Sequence, residues 1–593
     1  MATYRHATKE ISVSNAKAFL HQLNADEDGR TTKKSAILYT AIGKVDPWSS
    51  DPTPDDHTLS EQHLKFDMKR EFYGAKKVQP SDAAHVVPRH NWVSGTVYSM
   101  YRDTDTNIFN RAYYVITDEF NVYKCLNNFK GATSTTKPTG YSTLPITTSD
   151  GYMWKYLFTV SVDDADKFLT TSYLPVKKIS TSDGTAEEDR QLLIQNAAVN
   201  GSIEVVETNA VGSGYKMINN GLVSAGGKND IQLSTSGSDP SPIDNYYNGS
   251  SVYIISGTGA GQLRRVINYS GSTKLLTVNT AFSTIANTDS RIVISPTVTI
   301  IGDGAGAKAY SRVDTSTGAI ANVTMIATGS KYSRAQAIIT ANSIHGSGAT
   351  ANVVISPLGG HGDDPISELY SDKIMLNTKL QDPEGSYITG AGHIPSNTEF
   401  RTISIIKDPI LKVNSNNIIQ GTEYIANTSN SPDTLRLATR LTVSYLQMSG
   451  GSPVNPLVVR DIISNERNLL RAKSGALEFV TDLGQTTRNT NALSNAVKGA
   501  NANIVYLQDD PSQSDASYYH VYINNVESYG NYSSFQVDDN IIKSTSETNI
   551  AQVTAIKGPE ANTFSGEILY TENISPVTRD TEQIEDIKII LDF

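Results

Sequence analysis

Asp150-Gly151-Tyr152-Met153-Trp154-Lys155-Tyr156-Leu157-Phe158 is the stretch from which the fold is first read. Ser149-Asp150-Gly151 ahead of it is a turn signal, since Asp and Gly accept the backbone geometry of a tight reversal. Beyond the turn, Trp154, Tyr156 and Phe158 recur at every second position, the period of a strand. Upstream, 112–117 and 122–126 read as a hairpin closed near Asp118-Glu119. Residues 35–42 read as another strand, stopped by Pro47. Two helices accompany these strands. Ser14 reads as the N-cap of the first, with Ala16, Phe19, Leu20 and Leu23 on one face. The second is expected over 60–73.

Residues 1–189 therefore form an α+β N-terminal core in this reading, and the composition then shifts. Residues 190–365 are rich in Gly, Ser and Thr, with short β-branched runs, and they carry internal similarity. Gly304-Ala305-Gly306-Ala307-Lys308-Ala309 resembles Gly346-Ser347-Gly348-Ala349-Thr350-Ala351, and Gly212-Ser213-Gly214-Tyr215 resembles Gly329-Ser330-Lys331-Tyr332. A different piece lies between them, from Ser251 to about Ile294. These are β-repeat modules, too few for a long solenoid. Residues 366–414 return to the core and 415–563 form a second insertion, with helices expected over 456–472 and 487–500. Residues 564–593 supply C-terminal core strands, split at Pro576, the last of them covered on both faces. The expected fold is mainly β (α+β), a multi-domain β-sandwich-like core with inserted β-repeat modules.

At 593 residues the chain is too long for one ordinary core. With 38% apolar and 19% charged residues it is globular in composition, not disordered. The net charge is −11 and no Lys/Arg block forms a phosphate-binding stripe, so no direct nucleic-acid partner is expected. A single cysteine, Cys125, excludes an intrachain disulfide. The first ten residues lack an apolar signal region, and no apolar run approaches the ~20 residues that span a bilayer. Assembly in the cytoplasm, without membrane insertion, is the expectation.

No G-x-S-x-G elbow, H-E-x-x-H or P-loop is present. Gly257-Thr258-Gly259-Ala260-Gly261 has the look of a phosphate loop, but Gln262 to Tyr269 after it reads as a strand, which makes it a turn. His361, Asp363 and Asp364 combine an imidazole with two carboxylates, the residue types of an ion site, and equally those of a turn. No catalytic, cofactor or metal residue is assigned. Trp48 and Trp92 follow Pro-containing turns, where an aromatic either fills the core or anchors a partner. They are the interface candidates.

Several segments, in order, resemble the T4-like phage baseplate wedge family known as the product of gene eight. They are Tyr39-Thr40-Ala41-Ile42-Gly43-Lys44-Val45-Asp46-Pro47-Trp48-Ser49-Ser50, Val86-Val87-Pro88-Arg89-His90-Asn91-Trp92, the 150–158 strand, Phe400-Arg401-Thr402-Ile403-Ser404-Ile405-Ile406 and Ser565-Gly566-Glu567-Ile568-Leu569-Tyr570-Thr571-Glu572-Asn573. The closing 580–593 also resembles the family's final strand. The matches cover residues 1 to about 180, about 390–412 and roughly the last thirty. The blocks 190–365 and 415–563 depart from the family pattern as large insertions. The resemblance implies a late structural protein of the virion tail baseplate. It implies a homodimer within each wedge that docks on other wedge subunits, with no catalysis and no cofactor. A tail adhesin or fibre protein binding a host glycan is the alternative, suggested by the Gly/Ser/Thr-rich modules.

Overall fold

A computed structural model describes residues 8–23, 36–55, 62–236, 239–341, 345–412, 424–425, 431–445, 468–472, 499–509, 518–529, 535–542 and 549–593. The chain is mainly β, in several antiparallel sheets and two closed barrels. It divides into two compact units, Met1–Val13 with His85–Asp372 and Ser14–Ala84 with Lys373–Phe593, limits that differ from those the composition suggested. Among the described residues no helix is long and apolar enough to cross a membrane.

The first unit is built around a four-stranded sheet in the order Tyr114–Ile116, Asn121–Asn127, Met153–Thr159, Ile146–Thr147. The expected hairpin is present, with Tyr114 opposite Lys124 and Ile116 opposite Val122. Both faces of the Asn121–Asn127 strand are covered, which explains its unbroken run of buried residues. Trp154 is fully buried and stacks on Tyr152 with ring centroids 5.4 Å apart. A helix that the sequence reading missed, Ala186–Ala197, is capped by Thr185, whose side chain accepts from the N–H of Glu188. It runs through the boundary expected between 189 and 190.

The repeats become two copies of a three-strand module. The first copy is Ile203–Ser213, Thr297–Gly302 and Ala305–Asp314; the second is Ala319–Ser330, Ala335–Thr340 and Ser347–Ile355. All six strands share one sheet, in the order Ala319–Ser330, Ala305–Asp314, Thr297–Gly302, Ala335–Thr340, Ser347–Ile355, Ile203–Ser213. Exchanging the copies reverses that order onto itself, so a pseudo-two-fold axis passes between the central pair. Those two strands pair antiparallel, with Thr297 opposite Thr340 and Gly302 opposite Ala335. The piece between the first copy's strands is a closed six-stranded barrel reaching from Ile218–Gly226 to Arg291–Ser295. Its own core includes Val223, Ile231, Val252, Ile254, Leu276 and Ile292. The repeat sheet itself is not walled off. Val205 and Val354 belong to the same buried cluster as Tyr101 and Trp154.

The second unit holds a five-stranded sheet in the order Thr434–Arg436, Phe72–Lys77, Leu38–Gly43, Thr398–Lys407, Glu567–Arg579. Lys373–Leu380 pairs with Glu585–Asp592 in a second layer, and Ile374, Leu376, Ile587 and Ile589 share a core with Leu38, Ile42, Phe400 and Ile405. A second closed barrel runs from Thr439–Tyr445 to Asn549–Lys557.

Four expectations need correction here. The first helix spans Lys9–Leu23, so Ser14 lies inside it and is not its cap, although Ala16 and Leu23 are buried as expected. The second, Gln62–Glu71, ends before Tyr73, which lies in a strand. Pro576 does not divide the C-terminal strands: Glu567–Arg579 continues through it. Thr402 faces Asn573 and Phe400 faces Val577, so Pro576 sits in a bulge opposite Arg401, on an edge strand where a missing N–H is tolerated. The closing strand is buried at Glu585, Ile587 and Ile589 but not at the residues between, so one face alone is fully covered. The helices expected over 456–472 and 487–500 lie outside the described residues, except where they meet the strands Asn468–Ala472 and Gly499–Asp509.

Candidate functional site

The most concentrated chemistry in the first unit is a buried group of charges. Lys124 sits mid-strand between Tyr123 and Cys125 and has no exposed surface. Its Nζ lies 2.7 Å from Oε1 of Glu368, 3.1 Å from Nδ1 of His361 and 3.5 Å from the centre of the Tyr101 ring. Nδ1 of His361 is also 3.0 Å from Oε1 of Glu368. The N–H of Gly362 donates to Oε2 of Glu368 at 2.7 Å, and the Tyr113 hydroxyl donates to the Glu368 carbonyl at 2.9 Å. Glu368 closes the short helix Pro365–Glu368.

The loop that carries His361 inward depends on Gly362. Its φ is +92°, and a Cβ there would stand 2.5 Å from Cγ2 of Ile194. Burial alone would raise the Glu368 carboxyl; the Lys124 charge and the His361 hydrogen bond prevail and hold it down to about 2. Burial lowers the Lys124 ammonium against the pull of Glu368, and burial together with Lys124 lowers the His361 imidazole.

His361, Asp363 and Asp364 do not converge. His361 turns inward, Asp363 points to Lys178 with 3.2 Å between charges, and Asp364 caps the Pro365–Glu368 helix. Gly257 to Gly261 is a turn into the strand Leu263–Ser270. Cys125 is buried and its thiol is pushed up by burial.

Trp48 is only 8% exposed, and its indole N–H donates to the Ile574 carbonyl at 2.9 Å, within the bulge around Pro576. Asp51, in the same loop, is gripped by Arg401 through two hydrogen bonds of 2.9 and 3.2 Å. Trp92 is half-buried and donates to the Ser134 hydroxyl at 3.1 Å. Both indoles are thus held inside their own units. An open groove of about 380 Å³ lies between Glu567–Arg579 and Glu585–Asp592, with Phe400, Tyr570, Ile574 and Val577 among its lining.

Sequence reading passed over Lys124 and Glu368. The available signal was a lysine at the centre of the apolar run Val122-Tyr123-Lys124-Cys125-Leu126, which a strand buried on both faces must pair with an acid. No family model matches the chain, and no curated protein matches it.

Proposed function

We propose that the chain is a structural subunit of a contractile-tail baseplate wedge, a virion protein that self-associates as a homodimer and docks on other wedge subunits without catalysing a reaction. One observation carries the reading. Three of the segments that resemble the wedge family are hundreds of residues apart in sequence, yet they lie side by side. The strand Leu38–Gly43 pairs with Thr398–Lys407, which pairs with Glu567–Arg579. Trp48, from the first segment, bonds to Ile574 just beyond the third. Scattered matches arising by chance have no reason to form consecutive strands of one sheet, whereas a shared scaffold interrupted by insertions does.

The test is cryo-electron microscopy of intact particles together with native mass spectrometry of the purified chain. A dimer, and density for the chain in the baseplate, are expected. A trimer at a fibre tip would overturn the proposal in favour of the adhesin alternative.

A further inference from the structure

The buried Lys124–Glu368 pair has the geometry of a reaction as well as of an attraction. Nζ, Oε1 and Nδ1 of His361 form a triangle with sides of 2.7, 3.0 and 3.1 Å. All three side chains are buried, and the Tyr101 ring closes one side of the ammonium. The second carboxylate oxygen is already held by the Gly362 N–H at 2.7 Å. A nucleophile, a proton carrier, an electrophile and an oxyanion donor therefore stand together in a site closed to solvent.

We propose that Lys124 and Glu368 condense into an intramolecular isopeptide bond, with His361 as the proton carrier and no other reactant. The resting pair is ionic; a proton passed along the 2.7 Å contact from Nζ to Oε1 gives the reactive amine and carboxylic acid, a minor form of the pair from which condensation proceeds. Glu204, whose Oε2 is buried without a hydrogen-bond partner among the described residues, adds a further acidic group to the unit's interior. The Nζ lone pair forms a bond to Cδ of Glu368, and the C=O electron pair moves onto Oε2, where the Gly362 N–H receives it. Nδ1 of His361 takes one proton from Nζ and gives it to Oε1. The Cδ–Oε1 bond breaks and Oε1 leaves as water, carrying the acid proton and the relayed one. Nothing is oxidised or reduced. Fixed orientation replaces the activation that amide formation in solution requires. Condensation also removes two buried charges, whose desolvation otherwise opposes folding.

The bond would tie the Asn121–Asn127 strand to the Pro365–Glu368 helix, closing the chain between positions 124 and 368. In a chain with one cysteine it would supply the covalent restraint that disulfides give other proteins. The inference rests on this geometry and not on the baseplate reading.

Intact mass spectrometry of the full chain under denaturing conditions tests it without any variant. The expected mass is one water below the sequence mass, and tryptic digestion should yield a branched peptide joining Lys124 to Glu368, uncut after Lys124. Lys124→Met should restore the full mass. His361→Phe should leave freshly made protein at full mass for longer before it converts. Wild-type protein at the full sequence mass overturns the proposal, as does a water loss that persists in Lys124→Met.

Discussion

Tyr215 and Tyr332 occupy the same place in the two copies of the repeat module. The Tyr215 hydroxyl accepts from the N–H of Ala349 at 3.1 Å, and the Tyr332 hydroxyl accepts from the N–H of Ala307 at 3.4 Å. Each tyrosine reaches into the other copy's strands. Their backbones repeat the exchange: the Tyr215 N–H donates to Gly318 and the Tyr332 N–H to Gly201, at 2.8 and 3.1 Å. Gly212 and Gly329, three residues before each tyrosine, have φ of +62° and +64° and lie against equivalent backbone atoms. The two Gly-Ser-x-Tyr motifs are therefore the locks of a duplicated sheet.

The duplication shows where the barrel can be removed. In the second copy, Ser333 and Arg334 alone connect Tyr332 to the strand that begins at Ala335. In the first copy the same connection, from Tyr215 to Thr297, contains the whole barrel. Replacing residues 216–296 by a Ser-Arg linker should leave a soluble chain with β-type circular dichroism and cooperative melting, because a surface insertion costs little to close or to remove. The barrel expressed alone should also fold on its own core. A wider cut at 190–365 should fail, since it takes Val205 and Val354 out of the cluster around Trp154. If the narrow deletion aggregates while the wide one is soluble, this division is wrong.

For Trp48 the expected effect is on stability. Its indole is buried and hydrogen-bonded to Ile574, so Trp48→Ala should cost about 3–5 kcal/mol, as truncation of a buried aromatic does. Trp48→Phe keeps most of the packing and should lose about 1 kcal/mol with the hydrogen bond. Urea denaturation followed by fluorescence measures both. A Trp48→Ala chain with unchanged midpoint but weakened self-association would return this residue to the surface.

Much of the β architecture was legible because it rests on local pattern. The alternating aromatics from Trp154 to Phe158, the hairpin around Asp118-Glu119 and the repeated glycine motifs all correspond to strands and turns of the structure. What failed depends on partners far away in sequence. Pro576 looks like a break until Arg401 and the edge of the sheet are seen. Trp48 reads either as core or as a partner anchor until the Ile574 carbonyl is seen beside it. Lys124 and Glu368 find each other across most of the first unit, and neither carries a local signal of the other.

Asp150 gives a pH dependence of predictable sign. Although burial raises its carboxyl, the Thr148 hydroxyl and the N–H groups of Thr136, Thr135 and Tyr152 prevail and hold it at about 2. A carboxylate depressed in the folded state adds stability that is complete above its ordinary range and is lost as pH falls toward the folded value. The melting-temperature advantage of wild type over Asp150→Asn should therefore be constant near neutrality and shrink as pH is lowered from about 4 toward 2. An advantage that is flat across that window would show that the turn does not depend on the charge.

Arg579 tests whether a buried ion pair in the second unit acts through charge or through its other bonds. It is fully buried at the end of the Glu567–Arg579 strand, with Nε 3.1 Å from Oε2 of Glu585. Its remaining nitrogens donate to the carbonyls of Ile394, Pro395 and Gln381 at 3.1, 2.7 and 3.3 Å. Many buried ion pairs can be exchanged for apolar residues without loss, because desolvation cancels the attraction. This one should resist that exchange, since removing the guanidinium also strands three backbone acceptors. Arg579→Met should cost about 3–5 kcal/mol, with Glu585 left buried and unpaired. Glu585→Gln, which retains an oxygen for the guanidinium, should cost less, on the order of 1–2 kcal/mol. The double variant Arg579→Met with Glu585→Leu removes the stranded charge but not the three orphaned carbonyls, so it should recover only part of the loss. Chemical denaturation of the four chains gives the cycle. Recovery of the wild-type midpoint by the double variant would mean that the carbonyl contacts contribute nothing and that the pair is held by charge alone.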